Sequence, residues 1–467
     1  MNRITGTIKE GAKALRRDGS FAQNYAIVLS GTGLNILIQI LVSPILTRIY
    51  GPEAYGIFSL FNALCTNLAL ISTLRLPQAL LLPPDERDFH VLMRVCTLSA
   101  LLTSSLIFIA LFFAAIPFLS LFQAGKLAPF YFLIPGMVFL IALNQIVGQW
   151  QYRLNRFKRS VTIDTGVLIG VRIFNLLFGW LTKGMVLGLV TGDIIGKVSG
   201  LFLSWKFIIK DQAKYFFSTV SWNELKLILY RFKQYPLFNL PGVWLTMFSD
   251  QLSVFFISSA FGLPSVGVLS LAVSMLDLPK RLFAYSVSSV FYRKAVELHK
   301  QSFEALQSLV VRMIYLFLLL SLIPYGTIAV FGPELFGWVF GEDWLLSGRI
   351  AQYFSVYCVL ELLYFSLDSI YYVLREEKRL FVFQATTFAL RFVTLFLSIH
   401  FALSLEACVA FLALINVFLY TIQLSYLMFL LRLAWWKHMS FIFSSMIVSG
   451  GLLYGLRIIL ERIGFLN

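Results

Sequence analysis

The chain has 467 residues, of which 59% are hydrophobic and 13% charged, and its mean hydropathy is +0.81. Soluble domains carry about 25% charged residues, so the composition excludes a soluble protein. The formal net charge of +15 is high, but the basic residues cluster in alternate loops between apolar runs. That placement indicates membrane topology and not a nucleic-acid partner.

Apolar runs long enough to cross the ~30 Å hydrocarbon layer of a bilayer as helices recur along the whole chain. The twelve predicted spans cover residues 22–47, 54–82, 90–117, 128–151, 160–181, 184–208, 234–261, 265–291, 306–331, 347–373, 380–401 and 405–431. A further run, 440–460, predicts a thirteenth helix that either crosses the membrane or lies at its interface. The predicted fold class is therefore all-α, a polytopic membrane protein.

A short sequence repeat divides the chain into two halves. YGPEAYGIFSL at residues 50–60 and FGLPSVGVLSL at residues 261–271 align at an offset of 211 residues. Six helices in each half, an even number, make both halves enter the bilayer in the same direction. The repeat thus predicts two pseudo-symmetric six-helix bundles around a central cavity, a geometry suited to alternating access.

The domain boundaries follow from the repeat and from the polar connections. They are an amphipathic amino terminus at 1–20, a first bundle at 21–208, a linker at 209–233, a second bundle at 234–432 and a carboxy-terminal segment at 433–467. By the positive-inside rule the amino terminus and the linker are cytoplasmic. The acidic loop predicted at 332–345 is then the longest outer loop.

Enzyme signatures are missing from the sequence. The four cysteines all lie in apolar runs, the four histidines are scattered, and no metal or cofactor is expected. Gly192 to Ser199 resembles a phosphate-binding loop but has the wrong spacing. The glycines at 184, 188, 192, 196 and 200 instead predict close helix packing, and Asp193 and Lys197 predict an ion pair on the same helix.

Three stretches resemble a known family: SGTGLNILIQILVSPILTRIYGPEAYGIFSLF, TLRLPQALLLP and LFGWVFGEDWLLSGRIAQY. They look like the polysaccharide (O-antigen type) flippases of the multidrug/oligosaccharidyl-lipid/polysaccharide (MOP) exporter superfamily. The resemblance implies a flippase of twelve to fourteen helices in a bacterial cytoplasmic (inner) membrane. It would turn an undecaprenyl-diphosphate-linked oligosaccharide from the inner to the outer leaflet, and a polysaccharide polymerase would be expected as a partner.

Two arginines lie midway along corresponding spans of the two halves. Arg172 and Arg391 would face the central cavity from both sides, and a guanidinium group suits a diphosphate because it can donate two parallel hydrogen bonds. The structural alternative pairs each arginine with an acidic neighbour in its own bundle, Asp164 or Glu361. Arg48 and Arg75 lie at the expected cavity mouths, where they either meet a headgroup or extend to the interface.

Acidic residues inside the spans are candidates for coupling transport to H⁺ or Na⁺, because intramembrane charges are costly without a function or a partner. Asp250 is the first of these, and the repeat offset sets it against Gln39. It either takes up an ion or pairs with an arginine. Glu361 and Asp368 are seven residues apart and share a helix face, as weaker candidates of the same kind.

Several other functions remain open at this point. A multidrug antiporter of the same superfamily should have an acidic, aromatic cavity, whereas two symmetric arginines favour an anionic cargo. A lipid II flippase normally has fourteen helices. A glycan polymerase or ligase would carry a large outer loop, and a structural scaffold would not need repeated intramembrane charges.

Overall fold

The computed structural model describes residues 21–121, 125–210 and 220–463, and these residues form helices without strands. The amphipathic segment predicted at 1–20 lies outside them. The helices are α1 (Phe21–Ile49), α2 (Pro52–Ser72), α3 (Glu86–Leu121), α4 (Leu133–Arg153), α5 (Phe157–Leu181), α6 (Leu187–Ser204), α7 (Trp222–Arg231), α8 (Leu240–Lys280), α9 (Ser286–Gln301), α10 (Phe303–Phe340), α11 (Leu345–Leu367), α12 (Ile370–Val373), α13 (Glu377–His400), α14 (Leu405–Leu430) and α15 (Trp435–Arg462).

Helix α2 is shorter than the sequence predicts. It ends at Ser72, and the chain then turns through two left-handed residues, Leu74 and Arg75, with φ of 51° and 60°. A 3₁₀ turn follows over Leu76–Leu81. Pro77 has no backbone N–H and disfavours the α conformation at the residue before it, so the apolar run to residue 82 could not continue as one helix.

The predicted break between the seventh and eighth spans is a kink inside α8. Gly262 has φ 79° and ψ 175°. A residue with a side chain rarely adopts this conformation. With its flanking turns this apolar stretch runs over Tyr235–Phe283, 49 residues. At 1.5 Å per residue a straight helix of that length would be about 74 Å long, more than twice the hydrocarbon thickness. The stretch therefore holds two membrane crossings.

Most of the stretch predicted as a loop at 332–345 is helical, so that prediction is wrong. Helix α10 continues through it to Phe340, with a bend at Phe331, and a 3₁₀ turn over Glu342–Trp344 leads into α11. Gly332, at the start of this stretch, is a packing residue: a Cβ atom on it would lie 2.5 Å from the carbonyl oxygen of Gly348. Close contact between α10 and α11 needs small residues at this point.

Twelve helical stretches in the described part of the chain are long and apolar enough to cross a membrane. Because one of them is the kinked stretch with two crossings, they contain thirteen apolar segments. Large apolar side chains cover their outer surfaces, for example Leu41 on α1, 72% exposed, Phe113 on α3, 81%, and Leu452 on α15, 72%. Such surfaces are stable against lipid and not against water, so the chain is a multi-pass membrane protein.

The carboxy-terminal apolar run forms α15, which lies along α10 in the same direction. Near its start the Tyr315 hydroxyl and the ring Nδ1 of His438 are 2.9 Å apart. Near its end Arg457 donates to the carbonyl oxygen of Val330 at 2.8 Å and to Glu334 at 2.6 Å. A helix that follows a spanning neighbour in this way favours a crossing over a placement at the interface.

The described residues form two compact units. The first comprises residues 21–50, 61–121, 125–210 and 220–244, and the second comprises 51–60 and 245–463. In the first unit the glycine stripe on α6 packs as predicted, because a Cβ on Gly188 would lie 2.2 Å from the Tyr50 hydroxyl oxygen. The predicted ion pair of Asp193 and Lys197 is present at 3.0 Å. The bundles at 21–208 and 234–432 remain predictions.

Part of the predicted linker is the amphipathic helix α7, which packs in the first unit through Ile228. Ser221 caps it, accepting from the backbone N–H of Glu224 while Glu224 accepts from the Ser221 N–H. Two ion pairs tie α7 to the start of α3: Arg87 donates to Glu224 at 2.7 Å, and Arg231 donates to Asp88.

Candidate functional site

A cavity of about 290 Å³ lies within the second unit and is lined by an unusual number of charged groups. Helices α8, α11, α13 and α14 supply its walls. Five charged side chains of these helices line it, each on a segment that the sequence predicts to span the membrane: Asp250, Asp277, Lys280, Glu361 and Arg391. Charges inside spanning segments are costly unless paired or wet, so the cavity is the leading candidate for a functional site.

Arg391 on α13 is the most buried of these groups, with 8% of the residue exposed. Its guanidinium donates to Asp250 at 2.8 Å, to the Asn416 side-chain oxygen at 2.8 Å, and at 3.3 Å to both Ser249 and the Tyr420 hydroxyl. The acidic partner is therefore Asp250: the structural alternative, an acidic neighbour in the same predicted bundle, is present for Arg391, with Asp250 in place of Glu361. The pairing of Asp250 with an arginine, considered from the sequence, is present.

Lys280 forms a second ionic centre in the same cavity. Its ammonium lies 2.8 Å from Asp277, on the preceding turn of α8, and 3.2 Å from Glu361 on α11. Arg281 shares Asp277 at 2.6 Å. Two carboxylates around one buried ammonium satisfy its donors, which lowers the cost of burying all three charges.

Tyr420 on α14 joins the two centres. Its hydroxyl accepts from Arg391 at 3.3 Å and donates to Glu361 at 2.9 Å. The result is one hydrogen-bonded network, here called the charge network, that contains three carboxylates and three basic groups: Asp250, Asp277, Glu361, Lys280, Arg281 and Arg391. Its formal charge is zero.

A smaller cavity of about 70 Å³ adjoins the charge network and shares Asp250 and Arg391 with it. Asp368, Gln384 and Gln423 add polar groups to its lining. The acidic ion-coupling candidates of the sequence, Asp250, Glu361 and Asp368, thus face two neighbouring cavities of one unit. Gln39 does not, because it lies half-buried on α1 in the other unit.

The other predicted substrate-binding arginines lie in the first unit. Arg172 is half-buried midway along α5, and Arg48 is exposed at the end of α1. Arg75 sits in the left-handed turn after α2, and its Nε is buried without a hydrogen-bond partner among the described residues. Their role in substrate binding stays a prediction.

Sequence reasoning missed Lys280, Asp277, Asn416 and Tyr420. A signal existed for the first two, since Asp277 and Lys280 are charged residues inside the span predicted at 265–291. Asn416 and Tyr420 are four residues apart near the middle of α14, so they share a helix face. In the described residues no group of three or more His, Cys, Asp or Glu side chains could hold a metal ion.

Solved structures with the same fold are transporters and flippases. The chain is similar to the lipid II flippase MurJ in an inward closed conformation, with a TM-score of 0.66 and 17% identity over 94% of this chain and 99% of that one. It is also similar to a multidrug resistance MATE family transporter of the MOP superfamily in its inward-facing conformation, with a TM-score of 0.58 and 17% identity over 89% and 95%.

A third similar structure is a MOP superfamily transporter from Pyrococcus furiosus, described by the reverse polarity of its binding pocket. Its TM-score is 0.55, with 15% identity over 88% of this chain and 95% of that one. No curated protein matches the chain in sequence.

These similarities define the class: a multi-pass membrane protein with the fold of the MOP superfamily of transporters. The chain belongs to the family of polysaccharide biosynthesis proteins, whose family model matches residues 21–292. The family resemblance expected from the sequence is thereby confirmed.

Proposed function

We propose that this protein is a flippase. It carries an undecaprenyl-diphosphate-linked oligosaccharide, such as the repeat unit of an O-antigen, a capsule or an exopolysaccharide, from the cytoplasmic to the outer leaflet of a bacterial cytoplasmic membrane. The observation that carries this proposal is the match to a polysaccharide biosynthesis family in a chain with a transporter fold. Together they associate glycan assembly with movement across a membrane.

The proposed cycle is alternating access by two six-helix bundles, with the amino terminus and the linker in the cytoplasm. The positive-inside rule supports this orientation. A membrane glycan polymerase that uses the flipped repeat unit is the proposed partner. The protein makes or breaks no covalent bond in this cycle.

Arg391 and Arg172 are the proposed contacts for the diphosphate headgroup, with Arg48 and Arg75 at the cavity mouths. A guanidinium presents its donors in a planar fork that fits phosphate oxygens. Asp250, Glu361 and Asp368 are the proposed sites of H⁺ or Na⁺ coupling, supported by their position on the two polar cavities.

The test is a transport assay in cells that lack their own flippase. Wild-type protein should restore the appearance of lipid-linked sugar in the outer leaflet. The variants Arg172→Gln and Arg391→Gln, present at wild-type levels in the membrane, should lose it. Flipping by both variants at the wild-type rate would show that the two arginines do not bind the headgroup. No flipping by the wild type with any repeat unit tested would exclude the flippase function.

One observation favours a second function, cation-coupled export of cationic drugs. The larger cavity places three carboxylates beside the aromatic rings of Phe354, Tyr357 and Phe365. Acidic and aromatic groups together suit a cationic guest. Cells expressing the protein would then resist such drugs, and Glu361→Gln would abolish the resistance. Unchanged sensitivity of the wild-type cells contradicts this alternative.

A further inference from the structure

Asp250 and Arg391 differ sharply in how far their side chains reach the open cavity. The Asp250 side chain is 53% exposed and the Arg391 side chain is 9% exposed, although their charged atoms are 2.8 Å apart. Both residues line both polar cavities. The carboxylate is therefore the more accessible member of the pair, the one that an anion entering from the cavities would meet first.

The guanidinium is held in place by groups other than Asp250. Of the four hydrogen bonds described above, three go to the neutral oxygens of Asn416, Ser249 and Tyr420. These residues stand on α14 and α8, inside the packed part of the unit. If the Asp250 carboxylate moved away, they would keep the guanidinium in the same orientation, and the Nη1 group that now donates to Asp250 would be left for another anion.

We propose that the Asp250 carboxylate occupies the binding position of the cargo headgroup on Arg391 while no cargo is bound. In the empty protein this carboxylate accepts from Nη1 of Arg391, and a diphosphate displaces it and takes over the same contact. The identification of the displacing anion as a diphosphate rests on the proposed flippase function. The exchange itself rests on the geometry of the pair.

Exchange of one anion for another avoids the main cost of using a buried cation as a binding site. A guanidinium left without an anion in this environment would be strongly destabilising, so the empty state needs a counter-charge. A diphosphate carries more charge than a carboxylate and accepts charge-assisted hydrogen bonds at several oxygens, so it can compete with Asp250.

Lys280 lacks this arrangement. Its ammonium is shared by Asp277 and Glu361, whose side chains are only 21% and 13% exposed, against 53% for Asp250. Displacing one carboxylate would leave the other in place. The structure thus distinguishes an exchangeable centre at Arg391 from a closed centre at Lys280.

The experiment measures binding of inorganic pyrophosphate to the purified full-length protein in detergent by calorimetry. Asp250→Asn removes the competing charge and keeps an oxygen that accepts from Arg391. If Asp250 occupies the guanidinium nine-tenths of the time, its removal should tighten the apparent Kd by about tenfold. Adding Arg391→Gln to this variant should abolish the gain.

Asp277→Asn is the matched control, because it removes one negative charge from the same cavity without touching Arg391. A gain as large as that of Asp250→Asn would mean general electrostatic attraction and would overturn the exchange. An unchanged affinity in Asp250→Asn would overturn it as well. Asp250→Ala replaces the asparagine variant if the latter does not elute as a folded protein.

A measurement without substitutions keeps the proposal testable if both variants fail to fold. In wild-type protein labelled with ¹³C-aspartate, pyrophosphate should shift an aspartate carboxylate band in the infrared difference spectrum. A spectrum without such a shift at saturating pyrophosphate overturns the exchange. Pyrophosphate binding does not require flipping, so a chain that shows the exchange but moves no lipid-linked sugar in cells would refute the flippase alone.

Discussion

Gly56 and Gly267 pack backbone against backbone inside the second unit. A Cβ atom on Gly56 would lie 1.8 Å from the carbonyl oxygen of Leu263, and one on Gly267 would lie 1.7 Å from that of Pro52. The two contacts are reciprocal, and both pairs of equivalent residues are 211 positions apart in the sequence. The repeat that divides the chain therefore coincides with the place where its two copies touch.

This contact predicts that Gly56→Ala and Gly267→Ala each destabilise the protein. Neither methyl group has room, because the obstacle is backbone and cannot rotate away. Overpacking of this kind costs about 1–3 kcal/mol or more. Thermal unfolding in detergent should show a lowered midpoint for both. Gly450→Ala on α15 is the control, since its added Cβ would meet no atom within 4 Å; an equal loss there would contradict the packing explanation.

The Lys280 centre predicts a rescue by a second substitution. Lys280→Met leaves Glu361 without its cation, and breaking a buried ion pair from one side costs about 3–5 kcal/mol. Lys280→Met with Glu361→Gln should recover part of that stability. The glutamine at position 361 is neutral, and Asp277 keeps its ion pair with Arg281. The same unfolding assay measures both.

Lys294→Met serves as the control for this pair of variants. Its ion pair with Glu297 is about half-exposed on both sides and lies 3.0 Å apart, so its loss should cost no more than about 1 kcal/mol. A double variant as unstable as Lys280→Met alone would show that packing of the lysine stem, and not charge, stabilises this site.

Much of the fold could be predicted because hydrophobic run length is a local property. The spans, the break at Gly262 and the Asp193–Lys197 pair all depend on residues close together in sequence. The prediction of a loop at 332–345 was wrong because glycine and proline at a helix end are ambiguous signals. Helix α10 continues past Pro333, and glycine also allows close helix contact, as Gly332 and Gly348 show. Only the neighbouring helix distinguishes the two uses.

The sequence could predict several charged residues of the candidate site but not which of them form ion pairs with one another. Asp250, Glu361 and Arg391 could be found because each is a charge inside a span. That Asp250 faces Arg391, 141 residues away, and that Glu361 faces Lys280, depends on how four helices rotate against one another. Periodicity within each helix does not specify that rotation.

The course of α15 along α10 predicts the location of the carboxy terminus. With the proposed cytoplasmic amino terminus and thirteen crossings, a reporter fused after Asn467 should lie outside the cytoplasm. Alkaline phosphatase fused there should be active and green fluorescent protein should be dark. Fusions after Leu430, before α15, should give the opposite result. Identical signals from both fusion points would show that α15 does not cross.

The docking of α7 predicts a dependence on pH. Hydrogen bonds from the Ser221 backbone N–H and from Arg87 lower the pKa of Glu224 below its usual range. The stability contributed by a group with a depressed pKa is present above its unfolded value, about 4.3 for Glu, and is lost as the pH falls through the folded value. The protection factors of the α7 amides, taken relative to the intrinsic exchange rate at each pH, should therefore fall below about pH 4.

Glu224→Gln should lower the protection factors of the α7 amides in the same way at neutral pH. Glu297→Gln is the matched control, because that carboxylate pairs only with Lys294 and Gln301 on its own helix among the contacts of the described residues. If α7 in the Glu224 variant is as protected as in the wild type, the ion pairs with α3 do not hold the helix in place.

The zero formal charge of the charge network has an electrical consequence. Moving one elementary charge across a membrane potential of 100 mV involves about 2.3 kcal/mol. Three carboxylates and three cations that travel together transfer no net charge, so a reorientation of this part of the protein does not by itself respond to voltage. A captured proton, or a dianionic headgroup seated on Arg391, would make the same movement electrogenic, with opposite signs for the two. The sign of the transport current would then report which of them accompanies the conformational change.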